Sequence, residues 1–204
     1  NMHPEQAAQV MKAGKPMFID KPIAGHLNEA IAIFELSKKY NVPLFSSSSL
    51  RYTAATQKIH NGKYGEVIGA DSYGPDNSEP SHGDFTWYGI HAVEALYAVM
   101  GTGCKEVSCA SVPGTEVATG IWEGDRIGTF RANVKAKYVF GGTVFTKEGA
   151  FQMGSEIPYE ALLQRIIGFF DTGVVPVTPQ ETIEIFTFME AASVSKARGG
   201  VPVM

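Results

Sequence analysis

The sequence predicts an α+β protein, with a mostly antiparallel, open-faced sheet carrying helices on one face and the tail of a parallel α/β unit ahead of it. Three observations predict this. Residues 1 to 46 run helix, strand, helix, strand, the alternation of a parallel sheet. Beyond residue 50, short apolar or β-branched runs are separated by glycine-rich or charged turns, the pattern of an antiparallel sheet. Two longer helical patterns then follow. Two strands do not make a stable parallel domain alone, so the expected division is a remnant at 1–48, with more strands expected upstream, and an α+β domain at 49–204.

Each element has its own signal. His3 to Ala13 has Pro4 in a first-turn position, apolar residues at Ala7, Val10 and Met11, and Gly14 as terminator, which predicts a helix. Met17 to Ile19 is a short buried strand ending in Asp20-Lys21-Pro22, and Pro22 turns the chain out of the sheet. Residues 26 to 40 carry Leu27, Ala30, Ile31 and Phe34 on one stripe, with Lys38 and Lys39 in the last turn where the helix dipole favours cations. Val42 to Ser46 reads as the next strand, and Tyr52 to Asn61 as a helix ended by Gly62. Strands are expected over 66–74, 105–112, 116–122, 126–133 and 137–146. Ile157 to Asp171 predicts a helix directing Leu162, Leu163, Ile166, Ile167 and Phe170 to a core. Thr178-Pro179-Gln180-Glu181 is a capping box with proline inside it, and opens the last helix.

Composition narrows the function classes. The chain is 44% hydrophobic and 19% charged with a net charge of −4, and its longest basic run is Lys38-Lys39. That excludes an electrostatic footprint for nucleic acid. No apolar stretch reaches the ~20 residues of a membrane span, and the expected location is the cytoplasm. Cys104 and Cys109 are too few for a disulfide framework and lack the second pair of a structural zinc site, so no metal is expected.

Two places carry chemistry. Lys21 follows a strand, at the edge where open α/β sheets hold ligands. It reads either as a fixed positive charge beside a substrate or cofactor, or as a surface lysine. Phe85 to Glu94 opens a helix running to Met100, with His91 in its first turn after a loop rich in Gly, Pro, Ser, Asp and aromatic residues. A helix amino terminus suits a neutral imidazole and hence a general base; a core histidine bonded to backbone is the alternative. His91 and Glu94 are spaced to share a metal, without a third ligand nearby. The remaining histidines read as surface or capping residues.

Taken in order, Asp20-Lys21-Pro22, Ser49-Leu50-Arg51-Tyr52, Gly65-Glu66-Val67, Gly89-Ile90-His91 and the ending from Tyr159 through Gly173-Val174-Val175-Pro176 to Glu190-Ala191-Ala192-Ser193 resemble the Gfo/Idh/MocA family of nicotinamide-dependent oxidoreductases. The resemblance implies that 1–48 is the end of a dinucleotide-binding Rossmann domain, and that 49–204 is a substrate-binding and dimerisation domain. It implies hydride transfer between NAD or NADP and a secondary alcohol of a sugar, cyclitol or related polyol. Lys21 and His91 are then the catalytic candidates, with His91 as base. Lys21 and Pro22 would lie on the cofactor, and Arg51, Tyr52, Trp87 and Tyr88 on the substrate. A homodimer through the open sheet face is implied.

The sequence departs from the family twice. Many members place an aspartate four residues before the histidine, where Trp87 stands here. The Gly-x-Gly-x-x-Gly phosphate loop is not among these residues, so the chain reads as a fragment expected to be inactive alone and to have residues 1 to 24 poorly packed or borrowed by a neighbouring chain. Other readings are a non-catalytic descendant that binds a small polar ligand with Trp87 and Tyr88, or associates with itself, and an unrelated hydrolase or isomerase pairing His91 with Asp84 or Glu94.

Overall fold

The computed structural model describes residues 2–135 and 137–204. Among these residues there are six α-helices and eight strands, alternating over the first part and then running strand after strand from β4 to β8. Helix α1 (His3–Lys12) leads to strand β1 (Met17–Phe18), and α2 (Leu27–Tyr40) leads to β2 (Leu44–Phe45). The two strands pair in parallel, Met17 opposite Leu44 and Phe18 opposite Phe45. Asn41 ends α2 in the left-handed conformation, which asparagine tolerates. The predicted strand 42–46 is shorter, Leu44–Phe45, and just beyond it Ser47 and Ser48 turn to bond Glu94.

A 3-10 turn (Ser49–Tyr52) and α3 (Ala54–His60) replace the single helix predicted over 52–61. Thr53 interrupts it: its hydroxyl accepts the Thr56 amide, so the residue caps α3 rather than continuing a helix. The second sheet contains β3 (Val67–Pro75), β4 (Cys104–Val112), β5 (Thr115–Trp122), β6 (Arg126–Asn133), β7 (Gly141–Thr146) and β8 (Gly149–Gln152). Its order is β4-β5-β6-β3-β7-β8. Neighbours are antiparallel except β3 and β6, which run parallel, so the sheet is mixed but mostly antiparallel. The predicted strand 137–146 begins only at Gly141, and β8 was not predicted; it is four residues long with one half-buried side chain, Phe151, too little for a period to show.

Helices α4 (Ile90–Met100) and α6 (Pro179–Ala197) cover one face of this sheet. Facing side chains interdigitate there: Trp122, Tyr97 and Phe188 meet within 6.0 Å, centroid to centroid. The opposite face carries Asp71, Tyr73, Ile121, Ile127, Thr129 and Arg131, and no helix covers it among the described residues. Gly89, before α4, is needed for close approach, since a Cβ there would lie 2.7 Å from the Phe85 carbonyl oxygen and 3.0 Å from the Phe130 ring.

Helix α5 (Tyr159–Thr172) corrects its predicted facing. It packs on the 3-10 turn and on β2, burying Leu162 and Phe169, whose ring meets Phe45 edge-on at 5.1 Å. Leu163, Ile167 and Phe170, expected in the core, are half or more exposed and form a row with Tyr159 and Val174.

The described part of the expected loose segment, residues 2 to 24, is better packed than that expectation. Ala7, Met11, Ile23 and Ala24 are buried in the same core as Phe130 and Met189, with α1 lying against α2. The other side of this segment is open, with a cleft of about 300 Å³ lined by residues that include Val10, Met17 and Phe18.

Candidate functional site

Three chain segments meet where β1 and β2 end. The Asp20-Lys21-Pro22 turn follows β1, with a cis peptide before the buried Pro22. The buried serines Ser46 to Ser49 follow β2. The first turn of α4, brought in by the loop after β3, supplies His91. The carboxyl ends of two parallel strands thus face a helix amino terminus, as ligand sites of α/β folds do.

Lys21 reaches across to the loop. Its ammonium donates to the Trp87 carbonyl at 3.2 Å and lies 5.0 Å from the Tyr88 ring centroid and 5.7 Å from that of Trp87, both within cation–π reach. Burial lowers its pKa, against the charges of Asp20 and Glu94, which raise it. One donor is engaged by Trp87, leaving N–H groups for a ligand. His91 stands in contact with Tyr88 and Phe140, ring centroids 5.6 and 5.5 Å away. Burial first, and then the Lys21 charge, push its pKa down to about 3. Both favour the neutral imidazole, with burial the larger cause.

Beneath these two residues lies a buried charge network. Glu94 sits one turn after His91 on α4. Its Oε1 accepts the Ser47 hydroxyl at 2.6 Å and Arg51 Nε at 3.0 Å, and its Oε2 accepts the Ser48 amide at 2.7 Å. Arg51 also donates through Nη2 to Glu181 at the start of α6. Burial works against the Arg51 charge, yet Glu94 and Glu181 outweigh it and raise its pKa above the usual range. Ser48 completes the path, its Oγ lying 2.7 Å from His91 Nδ1.

The structure brings together Lys21, His91, Trp87 and Tyr88. It places Arg51 and Tyr52, expected on the substrate side, in the supporting layer: they are only 4% and 7% exposed. Burial raises the Tyr52 pKa, against the Ser47 hydroxyl and the Arg51 charge. Asp84 is held away from His91, accepting from Lys196 at 2.8 Å and from the Ser193 hydroxyl at 3.0 Å. Glu94 meets His91 only through Ser48, so neither acid forms a direct pair with the imidazole. Among the described residues no three His, Cys, Asp or Glu side chains cluster as metal ligands, and no helix is long and apolar enough to cross a membrane.

Sequence reasoning missed Ser48 and Tyr138. The run Ser46–Ser49 just after a strand was the available signal for Ser48. Tyr138, 50% exposed and 5.1 Å from the Tyr88 ring, extends the aromatic wall of the site from a loop with no distinguishing pattern.

No protein-family model matches the chain. Two curated relatives are uncharacterized oxidoreductases. One, from Schizosaccharomyces pombe, is 32% identical over 77 residues, 36% of this chain and 21% of its own. The other, YhhX of Escherichia coli, is 26% identical over 111 residues, 48% of this chain and 32% of its own. The matched segments thus span a fifth to a third of those relatives. Solved structures match far more extensively. Myo-inositol 2-dehydrogenase from Lactobacillus plantarum superposes with a TM-score of 0.83 at 19% identity, over 99% of this chain and 77% of that one. Scyllo-inositol dehydrogenase from Lactobacillus casei, solved with NAD(H) and scyllo-inositol, gives 0.78 at 17% identity, over 98% and 76%. The chain has the fold of these inositol dehydrogenases.

Proposed function

We infer that the chain carries the substrate-side part of a nicotinamide-dependent oxidoreductase acting on a secondary alcohol, or the matching ketone, of a sugar, cyclitol or related polyol. The observation that carries this reading is the meeting of Lys21 and His91 at the carboxyl ends of two parallel strands, in a fold shared with inositol dehydrogenases. Residues 1–48 are read as the end of a dinucleotide-binding domain and 49–204 as the substrate-binding domain, which would form a homodimer through its uncovered sheet face.

His91 is the group placed to meet the reacting oxygen. Expected as a base, it is neutral and so able to exchange a proton at one ring nitrogen. Lys21 holds that oxygen and the nicotinamide side with its remaining donors, and Trp87 and Tyr88 offer ring faces to the C–H surface of a polyol. Lys21, with free N–H groups, and Pro22 would hold the nicotinamide end of NAD or NADP. When bound, the cofactor supplies the hydride acceptor or donor. For the pyrophosphate, the glycine pattern of these residues offers no turn of backbone amides, so affinity for the whole dinucleotide is expected to be weak in the chain alone.

A panel of cyclitols and hexoses, read on the Lys21 and His91 side-chain resonances with and without NADH or NADPH, tests this. A polyol that moves both residues, with the effect lost in His91→Ala, is the expected result. A panel that moves neither, with either nucleotide, refutes the reading. Trp87 in place of an aspartate favours a second reading, a polyol-binding domain without catalysis; it predicts the same shifts but no nicotinamide oxidation or reduction in any preparation that binds the dinucleotide.

A further inference from the structure

The contact between Ser48 and His91 fixes more than a distance. Ser48 is 1% exposed, and among the described residues its Oγ has two neighbours at hydrogen-bonding distance. One is the Leu50 amide at 3.2 Å, which can only donate to it, and the other is His91 Nδ1 at 2.7 Å. The hydroxyl's own hydrogen therefore has a single acceptor within reach, Nδ1. Turned elsewhere it would be a buried donor without a partner, an arrangement that folded proteins avoid. A neutral imidazole carries one hydrogen, and a ring whose Nδ1 accepts must carry it on Nε2.

We propose that Ser48 is the positioning residue of His91, its hydroxyl donating to Nδ1 and so holding the ring with a protonated Nε2 towards the site. This rests on the reading of His91 as the group that meets the reacting oxygen, and it deepens that reading by stating what His91 offers there: a donor, not a lone pair. A carbonyl oxygen, which only accepts, matches that donor directly. An alcohol that must give up its proton matches only after the Ser48 hydroxyl turns to accept and the imidazole hydrogen moves to Nδ1. The resting tautomer is thus the one from which a bound ketone, cyclic or open-chain, can take a proton directly. A neutral imidazole can serve in this way as the electrophilic partner of a carbonyl.

Ser48 is held so that it cannot drift from this role. Its amide is bound by Glu94, which stands three residues after His91 on the same helix, so α4 carries both the imidazole and the carboxylate that anchors its partner. Ser47 and Arg51 saturate the other oxygen of that carboxylate, and Arg51 ties it to Glu181 on α6.

The test needs neither cofactor nor substrate. Long-range proton–nitrogen correlation spectra of the ¹⁵N-labelled chain at neutral pH separate a bare ring nitrogen from a protonated one. The expected result for His91 is a bare Nδ1, shifted by an accepted hydrogen bond, and a protonated Nε2. Ser48→Ala should move Nδ1 towards the position of an unbonded ring nitrogen, and Ser48→Thr, which keeps the hydroxyl, should return it. A protonated Nδ1 in the wild-type chain overturns the proposal, as does an Nδ1 signal that Ser48→Ala leaves in place. If neither variant folds, the wild-type tautomer decides alone. Failure here leaves the polyol panel untouched, and failure of that panel leaves the tautomer assignment standing.

Discussion

Replacing Glu94 by glutamine changes one oxygen into an NH₂ group and nothing else in shape, and the network around it predicts a large cost. The carboxylate accepts three donors: Ser47 Oγ and Arg51 Nε on one oxygen, and the Ser48 amide on the other. If the glutamine oxygen takes the first place, its NH₂ faces the Ser48 N–H, donor against donor. If it takes the second, the NH₂ faces Arg51 Nε, again donor against donor. Either orientation strands a buried donor, at about 1–3 kcal/mol. Arg51, only 4% exposed, also loses one of two counter-ions. Removing one partner of a buried pair costs about 3–5 kcal/mol, and Glu181 retains part of that. The expected loss is about 3–5 kcal/mol, a large share of the ~5–15 kcal/mol of an ordinary domain. In urea unfolding, with m of about 1–3 kcal/mol/M, the midpoint should fall by roughly 1–5 M. The variant Glu94→Gln with Arg51→Gln should cost less than the sum of the two single changes, because the residues share one interaction. A Glu94→Gln protein within about 0.5 kcal/mol of wild type would show that Glu94 is held as the neutral acid, and the argument from a charged network would fail.

Three further outcomes follow from single sites. Asp76 is buried, and burial raises its pKa to about 6, with the Gly89 amide opposing at 3.1 Å. A folded-state value above the unfolded ~3.9 means that the fold favours the protonated acid, so this contribution is full below pH ~4 and is lost as pH rises through ~6, about 2–3 kcal/mol in all. Asp76→Asn, which can still accept from Gly89, should flatten the stability–pH curve between those limits, and an unchanged slope would remove Asp76 as its cause. Gly120→Ala should destabilise by about 1–3 kcal/mol by overpacking, since its Cβ would lie 2.5 Å from Trp122 and 2.9 Å from both Cys104 and Phe188; thermal melting checks it, and an unshifted midpoint would mean that the α6–sheet interface yields freely. Burial pushes the Cys104 and Cys109 thiols up to about 11. At pH 8 their thiolate fraction is then roughly 200-fold below that of free cysteine, and alkylation followed by mass spectrometry should find both slow until urea is added.

The sequence revealed elements wherever a local pattern was long enough to carry its own evidence. The start of α6 is one such place: the Thr178 hydroxyl accepts the Glu181 amide at 3.1 Å, as the capping box predicts. Yet the Glu181 carboxylate goes to Arg51, 130 residues away in the chain, and no local rule could foresee that. The facing of α5 failed for a related reason. Its apolar residues lie on two sides, and the choice of side is made by Phe45, the ring against which Phe169 packs. At the candidate site the aligned motifs brought out Lys21 and His91, because those residues stand at recognisable junctions of strand and loop. Arg51 sits in a motif too, but its burial depends on Glu94, which spacing alone cannot pair with it. Ser48 was lost among four consecutive serines that differ only in where each side chain points.

The middle of the large sheet sets an order of events for the growing chain. Strand β3 lies between β6 and β7, and Asp71 pairs with Thr129, 58 residues further on. At a synthesis rate of ~5–20 residues per second, that strand waits roughly 3–12 s for its first neighbour, with Ile68 and Tyr73 open to any passing edge. Hairpin β4–β5, whose partners are adjacent in the chain, can close in the meantime. Closure of long loops before they are rewarded by contacts slows folding, so the docking of β3 is a late step that leaves its two edges unpaired until β6 and β7 arrive.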